Sequence, residues 1–189
     1  ARNNVFPLIL NQIGGEGRVN IVVTSSQDEK AKNIIEAEIF AKPKSLHLAI
    51  FGHGNVGKTL IEQVLSNSEE IRRRKKLDLK IVAIANSKKI AFNKAGFGTS
   101  WNEDVLAAEN PSDIQELIKF SNENQLENLI VIDNTASKDF VKNYPILAEN
   151  GFDLVSSNKI FNTLPISEYR DLRHTLIKKN KKYLYETNV

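Results

Sequence analysis

Ile50-Phe51-Gly52-His53-Gly54-Asn55-Val56-Gly57-Lys58-Thr59 is the stretch that decides how this chain folds. It closes the nearly continuous apolar run Leu46-His47-Leu48-Ala49-Ile50-Phe51. It opens a segment in which Val56, Leu60, Ile61, Val64 and Leu65 lie along one face of a helix. Strand, glycine turn and helix in that order are the setting in which G-x-G-x-x-G has physical meaning. Gly52 permits the tight turn, Gly54 lets backbone approach a pyrophosphate, and Gly57 lets helix and strand pack closely, so that helix N–H groups face the phosphates. The same residues also spell G-x-x-x-x-G-K-T through Lys58 and Thr59, a formal nucleotide triphosphate P-loop. Both matches cannot be functional. The dinucleotide reading is preferred, because Gly54 falls at the second glycine position, the spacing from Gly57 to the helix suits close packing, and no downstream strand ends in a clear magnesium-holding Asp other than Asp133. A turn that merely joins strand to helix is the bland alternative, set against the entropic cost of three glycines.

Working outward, strands and helices alternate. Leu79–Ala85 reads as a second apolar strand, Leu129–Ile132 as a third, Phe152–Ser156 as a fourth and Lys182–Glu186 as a fifth. Between them lie an irregular stretch with Gly96, Gly98 and Trp101, a helix from an Asn110 N-cap and first-turn Pro111 to about Glu123, a helix capped by Ser137 that ends near Glu149 before Gly151, and a helix over Ser167–Lys178. Strands rich in Val and Ile that alternate with helices predict an α/β fold, a doubly wound parallel sheet of the Rossmann type. On the N-terminal side, Arg18–Thr24 reads as a strand and Asp28–Phe40 as a helix, with no obvious partner for either. Ala41-Lys42-Pro43-Lys44-Ser45 is a polar boundary, so residues 1–45 are expected to stand apart from a domain over 46–189.

Composition narrows the function. The chain has 189 residues, 41% of them hydrophobic and 26% charged, as expected for a packed globular protein. Its formal charge of +3 is too small to announce a nucleic-acid partner. No apolar run approaches the length of a membrane-crossing helix and no signal-peptide pattern opens the chain, so a cytoplasmic address is expected. With no Cys, the chain has no disulfide, thiolate metal site or Cys nucleophile; with only three His, a multi-histidine metal centre is not expected. Met is absent even from position 1, which points to a processed product or a piece of a longer polypeptide.

The end of the second strand bears on cofactor choice. Ala85-Asn86-Ser87-Lys88-Lys89 holds no carboxylate to bind a ribose 2′-hydroxyl or repel a 2′-phosphate, and two ammonium groups stand close by. NADP(H) is therefore expected in preference to NAD(H), with Asn86, Ser87, Lys88 and Lys89 as contacts. The alternative is that both lysines are solvated turn residues.

The ordered series Ile50–Gly57, Ala85-Asn86-Ser87, Ile132-Asp133-Asn134-Thr135-Ala136-Ser137, Val155-Ser156-Ser157-Asn158-Lys159 and Tyr185-Glu186-Thr187-Asn188-Val189 resembles the cofactor-binding half of homoserine dehydrogenases, above all those fused behind aspartate kinase. The likeness covers about residues 46–189, and residues 1–41 are similar, more weakly, to the closing strand and helix of an ACT-type regulatory region. The resemblance implies NAD(P)H-dependent interconversion of aspartate 4-semialdehyde and homoserine. It places Asn55 and Val56 on the pyrophosphate and Thr135, Ala136 and Ser137 along the cofactor. It also places Ser157, Asn158 and Lys159, as cofactor contacts, in the family's Ser/Thr-Pro-Asn-Lys segment, with Ser157 in place of the proline. Lys159 is implied as the residue where nicotinamide meets substrate, Glu186 as a substrate contact, and Glu186 with Val189 as ligands of a monovalent cation such as sodium. The glycine-rich continuation, the substrate domain and the proton-transfer residues of the family fall outside the sequence, so this polypeptide alone is expected to bind cofactor and turn over poorly. A small-molecule substrate and a homo-oligomer of the full-length protein are implied as well.

Two basic runs, Arg72–Lys76 and Lys178–Lys182, fall at helix C-terminal ends, where cations complement the helix dipole. Trp101, with Phe92 and Phe97, is expected in core or lid packing. Two other function classes stay open at this level: a non-catalytic NAD(P)-binding regulatory module, which would not need Lys159, and a P-loop nucleotide hydrolase.

Overall fold

The computed structural model describes residues 7–13, 18–35 and 43–185. The chain divides into two compact units, Ala1–Pro43 and Lys44–Val189. In the first, β1 (Ile9–Ile13) pairs antiparallel with β2 (Arg18–Val22), and α1 (Asp28–Ile35) follows a short 3-10 turn. The strand expected to be without a partner thus has one. β1 precedes it, and its Ile-Leu-Asn-Gln-Ile sequence does not alternate cleanly enough to announce a strand. The rest of the expected helix, residues 36–40, lies outside the described residues.

The second unit holds a six-stranded sheet in the order β5-β4-β3-β6-β7-β8. Its strands are β3 (Lys44–Phe51), β4 (Leu77–Ala85), β5 (Ile90–Phe92), β6 (Leu129–Asp133), β7 (Asp153–Ser156) and β8 (Tyr183–Tyr185). All neighbours run parallel except β5, which is antiparallel to β4. The sheet reverses its winding at β3, flanked by β4 on one side and β6 on the other, and in sheets of this kind the crevice outside the strand ends at that reversal receives ligands.

The helices are α2 (Asn55–Lys75), α3 (Trp101–Ala107), α4 (Ile114–Glu123), α5 (Tyr144–Glu149) and α6 (Ile166–Lys178). Side chains alternate along β3, so Leu48 and Ile50 pack with Ile61 and Val64 of α2 and Trp101 and Val105 of α3. Ala49 and Phe51 join the opposite core, built with α4, α5 and α6. A register shift between Leu48 and Ala49 lets both Val82 and Ala83 of β4 enter that second core. Ile130, Ile132 and Val155 point to the α2 side, but among the described residues no helix lies beside α2 over β7 and β8, and Leu184 is 58% exposed.

Two local expectations are corrected. The cap of α4 is Asp113, whose side chain accepts from the Gln115 N–H at 3.0 Å, while Asn110 and Pro111 run alongside Lys89 and Ile90. The irregular stretch after β4 contains β5 and α3, both too short to show a period in sequence. Ser137 does cap a turn, accepting from the Phe140 N–H at 3.1 Å, and Gly151 sits past α5 with φ 78°. The first basic run lies where expected and the second only in part, since Lys181 lies beyond α6 and pairs with Asp153 at 3.4 Å. Arg72, Arg73, Arg74 and Lys75 fill the last turn of α2, and Lys178 closes α6.

Candidate functional site

The loops leaving β3, β6 and β7 start in step, because each is tied to the last carbonyl of its neighbour. Gly52 N–H donates to Ala85 O at 2.9 Å, Asn134 N–H to Phe51 O at 2.8 Å, and Ser157 N–H to Asp133 O at 2.9 Å. This brings the glycine turn, the Thr135–Ser137 segment and the Ser157–Lys159 segment to one edge of the sheet.

The turn itself is shaped by missing side chains. Gly52 has φ 86°, and a Cβ there would lie 2.9 Å from the backbone of Asn134. A Cβ on Gly57 would overlap the Gly52 carbonyl oxygen, so the first turn of α2 can close on the strand end only with glycine at this position. Gly54 is different: a Cβ there would meet nothing within 4 Å. It is the N-cap of α2, no side chain caps the helix, and its carbonyl already accepts from Lys58 N–H at 2.8 Å. The first N–H groups of a long helix therefore face open space, where they can hold an anion.

Two cavities flank the turn. One, of about 760 Å³, is lined by Gly52, His53, Gly54, Asn86, Ser87, Thr135, Ala136 and Ser137, among others. The other, of about 740 Å³, lies on the α2 side between Asn55, Val56, Asn134, Val155, Ser157 and Leu184. Lys88, Lys89, Asn158 and Lys159 line neither cavity. Asn86 organises its own loop, its Oδ1 accepting from the N–H groups of Lys88 at 2.8 Å and Lys89 at 2.9 Å. The Lys89 ammonium reaches the Leu106 carbonyl at 3.4 Å, at the end of α3, whereas the Lys88 side chain is exposed. Val56, expected on the packed face of α2, is 59% exposed. Lys159 is exposed at the start of a 3-10 turn over Ile160–Thr163. Glu186 and Val189 lie outside the described residues.

Sequence reasoning missed a buried polar network under these loops. Asp133, 1% exposed, accepts the Thr135 N–H at 2.8 Å, the Tyr144 hydroxyl at 2.7 Å and the Asn158 amide at 3.1 Å. Tyr144 also meets the Ser156 hydroxyl at 2.8 Å. Burial first, and then the negative charge of Asp133, raise the Tyr144 phenol above its ordinary pKa, so that it stays a donor. Burial likewise raises Tyr183 of β8, which lies against Tyr144. The only advance signal was an acidic residue closing an otherwise apolar strand. The same network answers the magnesium question, because the Asp133 carboxylate already receives three internal donors. Lys58 is one helical turn from Glu62, at 3.9 Å, on the exposed side of α2.

His53 packs edge-on against Trp101 with ring centres 5.7 Å apart. The sole tryptophan of the chain thus touches the glycine turn.

Comparison with known proteins agrees with this geometry. The family model for the homoserine dehydrogenase NAD-binding domain matches residues 52–186. The chain belongs to this family. Similar curated proteins are bifunctional aspartokinase/homoserine dehydrogenases. That of Buchnera aphidicola is 28% identical over 183 residues, covering 96% of this chain and 22% of the relative. That of Haemophilus influenzae is 29% identical over 190 residues, covering all of this chain and 23% of the relative. The chain therefore spans less than a quarter of the length of the curated relatives it matches. Among solved structures, the homoserine dehydrogenase of Thermoplasma acidophilum superposes with a TM-score of 0.55 at 21% identity, over 76% of this chain and 43% of that one. A hyperthermophilic archaeal homoserine dehydrogenase in complex with NADPH gives 0.55 at 20% identity, over 75% and 44%. These likenesses establish the Rossmann-type fold of the homoserine dehydrogenase NAD-binding domain.

Proposed function

We propose that this chain is the cofactor-binding part of a homoserine dehydrogenase that uses NADP(H) to interconvert aspartate 4-semialdehyde and homoserine. The observation that carries the reading is the bare, uncapped start of α2 at Gly54, beside a cavity that gathers Gly52, Gly54, Asn86, Ser87, Thr135, Ala136 and Ser137. These residues fit a dinucleotide. The N–H groups of Asn55 and Val56 would hold the diphosphate, and the Asn86–Lys89 loop would take the 2′-phosphate, chiefly through Lys88. When bound, NADPH supplies the hydride. Lys159 then acts on the substrate carbonyl, where its ammonium stabilises the alkoxide charge that develops on reduction. Ser157 lines the cavity on the α2 side of the turn and orients the loop that carries Lys159, its hydroxyl donating to Asn134 Oδ1 at 3.1 Å.

The reading extends to the parts the family resemblance supplies: Glu186 as a substrate contact, Glu186 and Val189 as ligands of a monovalent cation, a homo-oligomeric and cytoplasmic whole enzyme, and residues 1–45 as the end of an ACT-like region. Alignments to kinase-fused relatives that run over 96% and 100% of this chain support the last of these.

Titrating the chain with NADPH while following Trp101 emission is the direct test. Saturable quenching is expected with NADPH and none with ATP. Gly54→Val should weaken NADPH by about a hundredfold or more, since its side chain fills the diphosphate's approach, and leave the melting temperature within a few degrees. Binding of ATP alone, or undiminished NADPH binding by the variant, would overturn the reading. In the assembled enzyme, Lys159→Ala should lower kcat about a hundredfold with little change in NADPH affinity.

A further inference from the structure

Asn158 was expected to touch the cofactor, and its surroundings assign it other work. It is 4% exposed, and its side chain is fully engaged inside the protein. Its carbonyl oxygen accepts from Ile160 N–H at 3.1 Å, which fixes the orientation of the amide. The amide nitrogen then faces Asp133 Oδ2 at 3.1 Å, Ser137 O at 3.1 Å and Thr135 Oγ1 at 3.4 Å. Its backbone is held as well, with the N–H donating to Ser156 Oγ at 3.0 Å and the carbonyl accepting from the same hydroxyl at 3.1 Å. Asn158 thus joins the loop after β7, which carries Lys159, to the loop after β6, which carries Thr135, Ala136 and Ser137.

We propose that Asn158 is a positioning residue, a clamp through Asp133 that sets Lys159 and the Thr135–Ser137 segment at their working separation without itself touching the cofactor. This deepens the dehydrogenase reading and rests on it for the meaning of Lys159. The chemistry of the clamp is directional. Asp133 offers only acceptor oxygens to the donors from Thr135, Tyr144 and Asn158, so the partner at position 158 must bring a hydrogen. Ala removes it. Asp keeps the shape but brings a hydrogen only when one carboxyl of the facing pair is protonated, and two such groups hold a shared proton to a higher pH than either would alone. The other titratable groups around Asp133 are the phenols of Tyr144 from α5 and Tyr183 from β8.

The test compares Asn158→Asp and Asn158→Ala with the unsubstituted chain at pH 9 and pH 6. It reads the NADPH dissociation constant by Trp101 quenching, well below the melting temperature, and the melting temperature without ligand. At pH 9 both variants should bind about tenfold more weakly than wild type, as expected for one lost hydrogen bond to a charged acceptor, and both should melt lower. At pH 6 Asn158→Asp should recover part of the loss, because the shared proton restores the bond to Asp133 while a single carboxyl hydrogen leaves Ser137 O without its donor, and Asn158→Ala should not recover. Equal defects of Asn158→Asp at both pH values, or wild-type behaviour of Asn158→Ala, would overturn the clamp. So would weakened binding with an unchanged melting temperature, which is the mark of a direct cofactor contact. If the unsubstituted chain fails to bind NADPH, the dehydrogenase reading falls, while the melting temperatures still decide the clamp.

Discussion

The glycine turn and the paired loops after β6 and β7 lie on the same edge of one sheet and are built in opposite ways. The turn is shaped by what its residues lack: Gly52 and Gly57 interlock because neither carries a Cβ, and Gly54 leaves the helix start bare. The loops are shaped by what their residues hold, a buried carboxylate receiving hydrogens from Thr135, Tyr144 and Asn158. At Gly52 and Gly57 the backbone device tolerates almost no substitution, and what its loss disturbs is steric. A side-chain device fails in steps and responds to protons, because each hydrogen bond can be removed singly.

The largest effect should come from breaking the interlock. Gly57→Val drives a branched side chain into the Gly52 carbonyl, and it should destabilise the fold by about 3 kcal/mol or more, or prevent its accumulation, as read by urea unfolding. A variant as stable as wild type would mean that Gly52 and Gly57 do not interlock.

Tyr144→Phe probes the other device more gently. It keeps the ring packed against Phe161 and Tyr183 but takes one hydrogen from Asp133, at a cost of about 1–3 kcal/mol near neutral pH. Its alkaline behaviour carries a sign. The folded pKa of Tyr144 is raised, so its contribution is complete below the unfolded value near 10.0 and is lost as the pH climbs beyond it. Wild type should lose stability above that point, and Tyr144→Phe should lose less of it over the same range. Identical alkaline slopes in thermal melts would remove Tyr144 from the network.

The smallest effect should lie in the Asn86–Lys89 loop, which lies between the two styles. Lys88→Ala should narrow the preference for NADPH over NADH by about tenfold, as one charge-assisted contact to a phosphate would imply, and Lys89→Ala by much less, because that ammonium turns to the Leu106 carbonyl. Equal effects in a cofactor competition would reverse the assignment.

The contrast also explains what was legible in the sequence. A glycine pattern between an apolar strand and an amphipathic helix is local, and the sheet followed from strands whose neighbours agree over several residues. Asp133, Tyr144 and Asn158 are 11 and 25 residues apart when counted from Asp133, and no local pattern says that they share hydrogens. Tyr144 falls within the helix expected to end near Glu149, and no neighbouring residue marks it as polar in role. β5 and α3 were missed because each is too short to display a period, and β1 because Ile9–Ile13 does not alternate cleanly. The cap of α4 was misplaced because Asn110-Pro111 imitates a helix start, although Asp113 makes the bond. Sequence does not reveal that the Leu106 carbonyl at the end of α3 lies 3.4 Å from the Lys89 ammonium, and so gives no reason to rank Lys88 above Lys89.

The half of the sheet that no described helix covers beside α2 has a calorimetric consequence. Leu184 and Val56 keep more than half of their surface in water while the protein is folded, so melting releases less newly wetted hydrocarbon there than at β3 and β4. Heat capacity on unfolding scales with that newly wetted area, so this domain should absorb less heat per degree, residue for residue, than a sheet of equal size sealed on both sides.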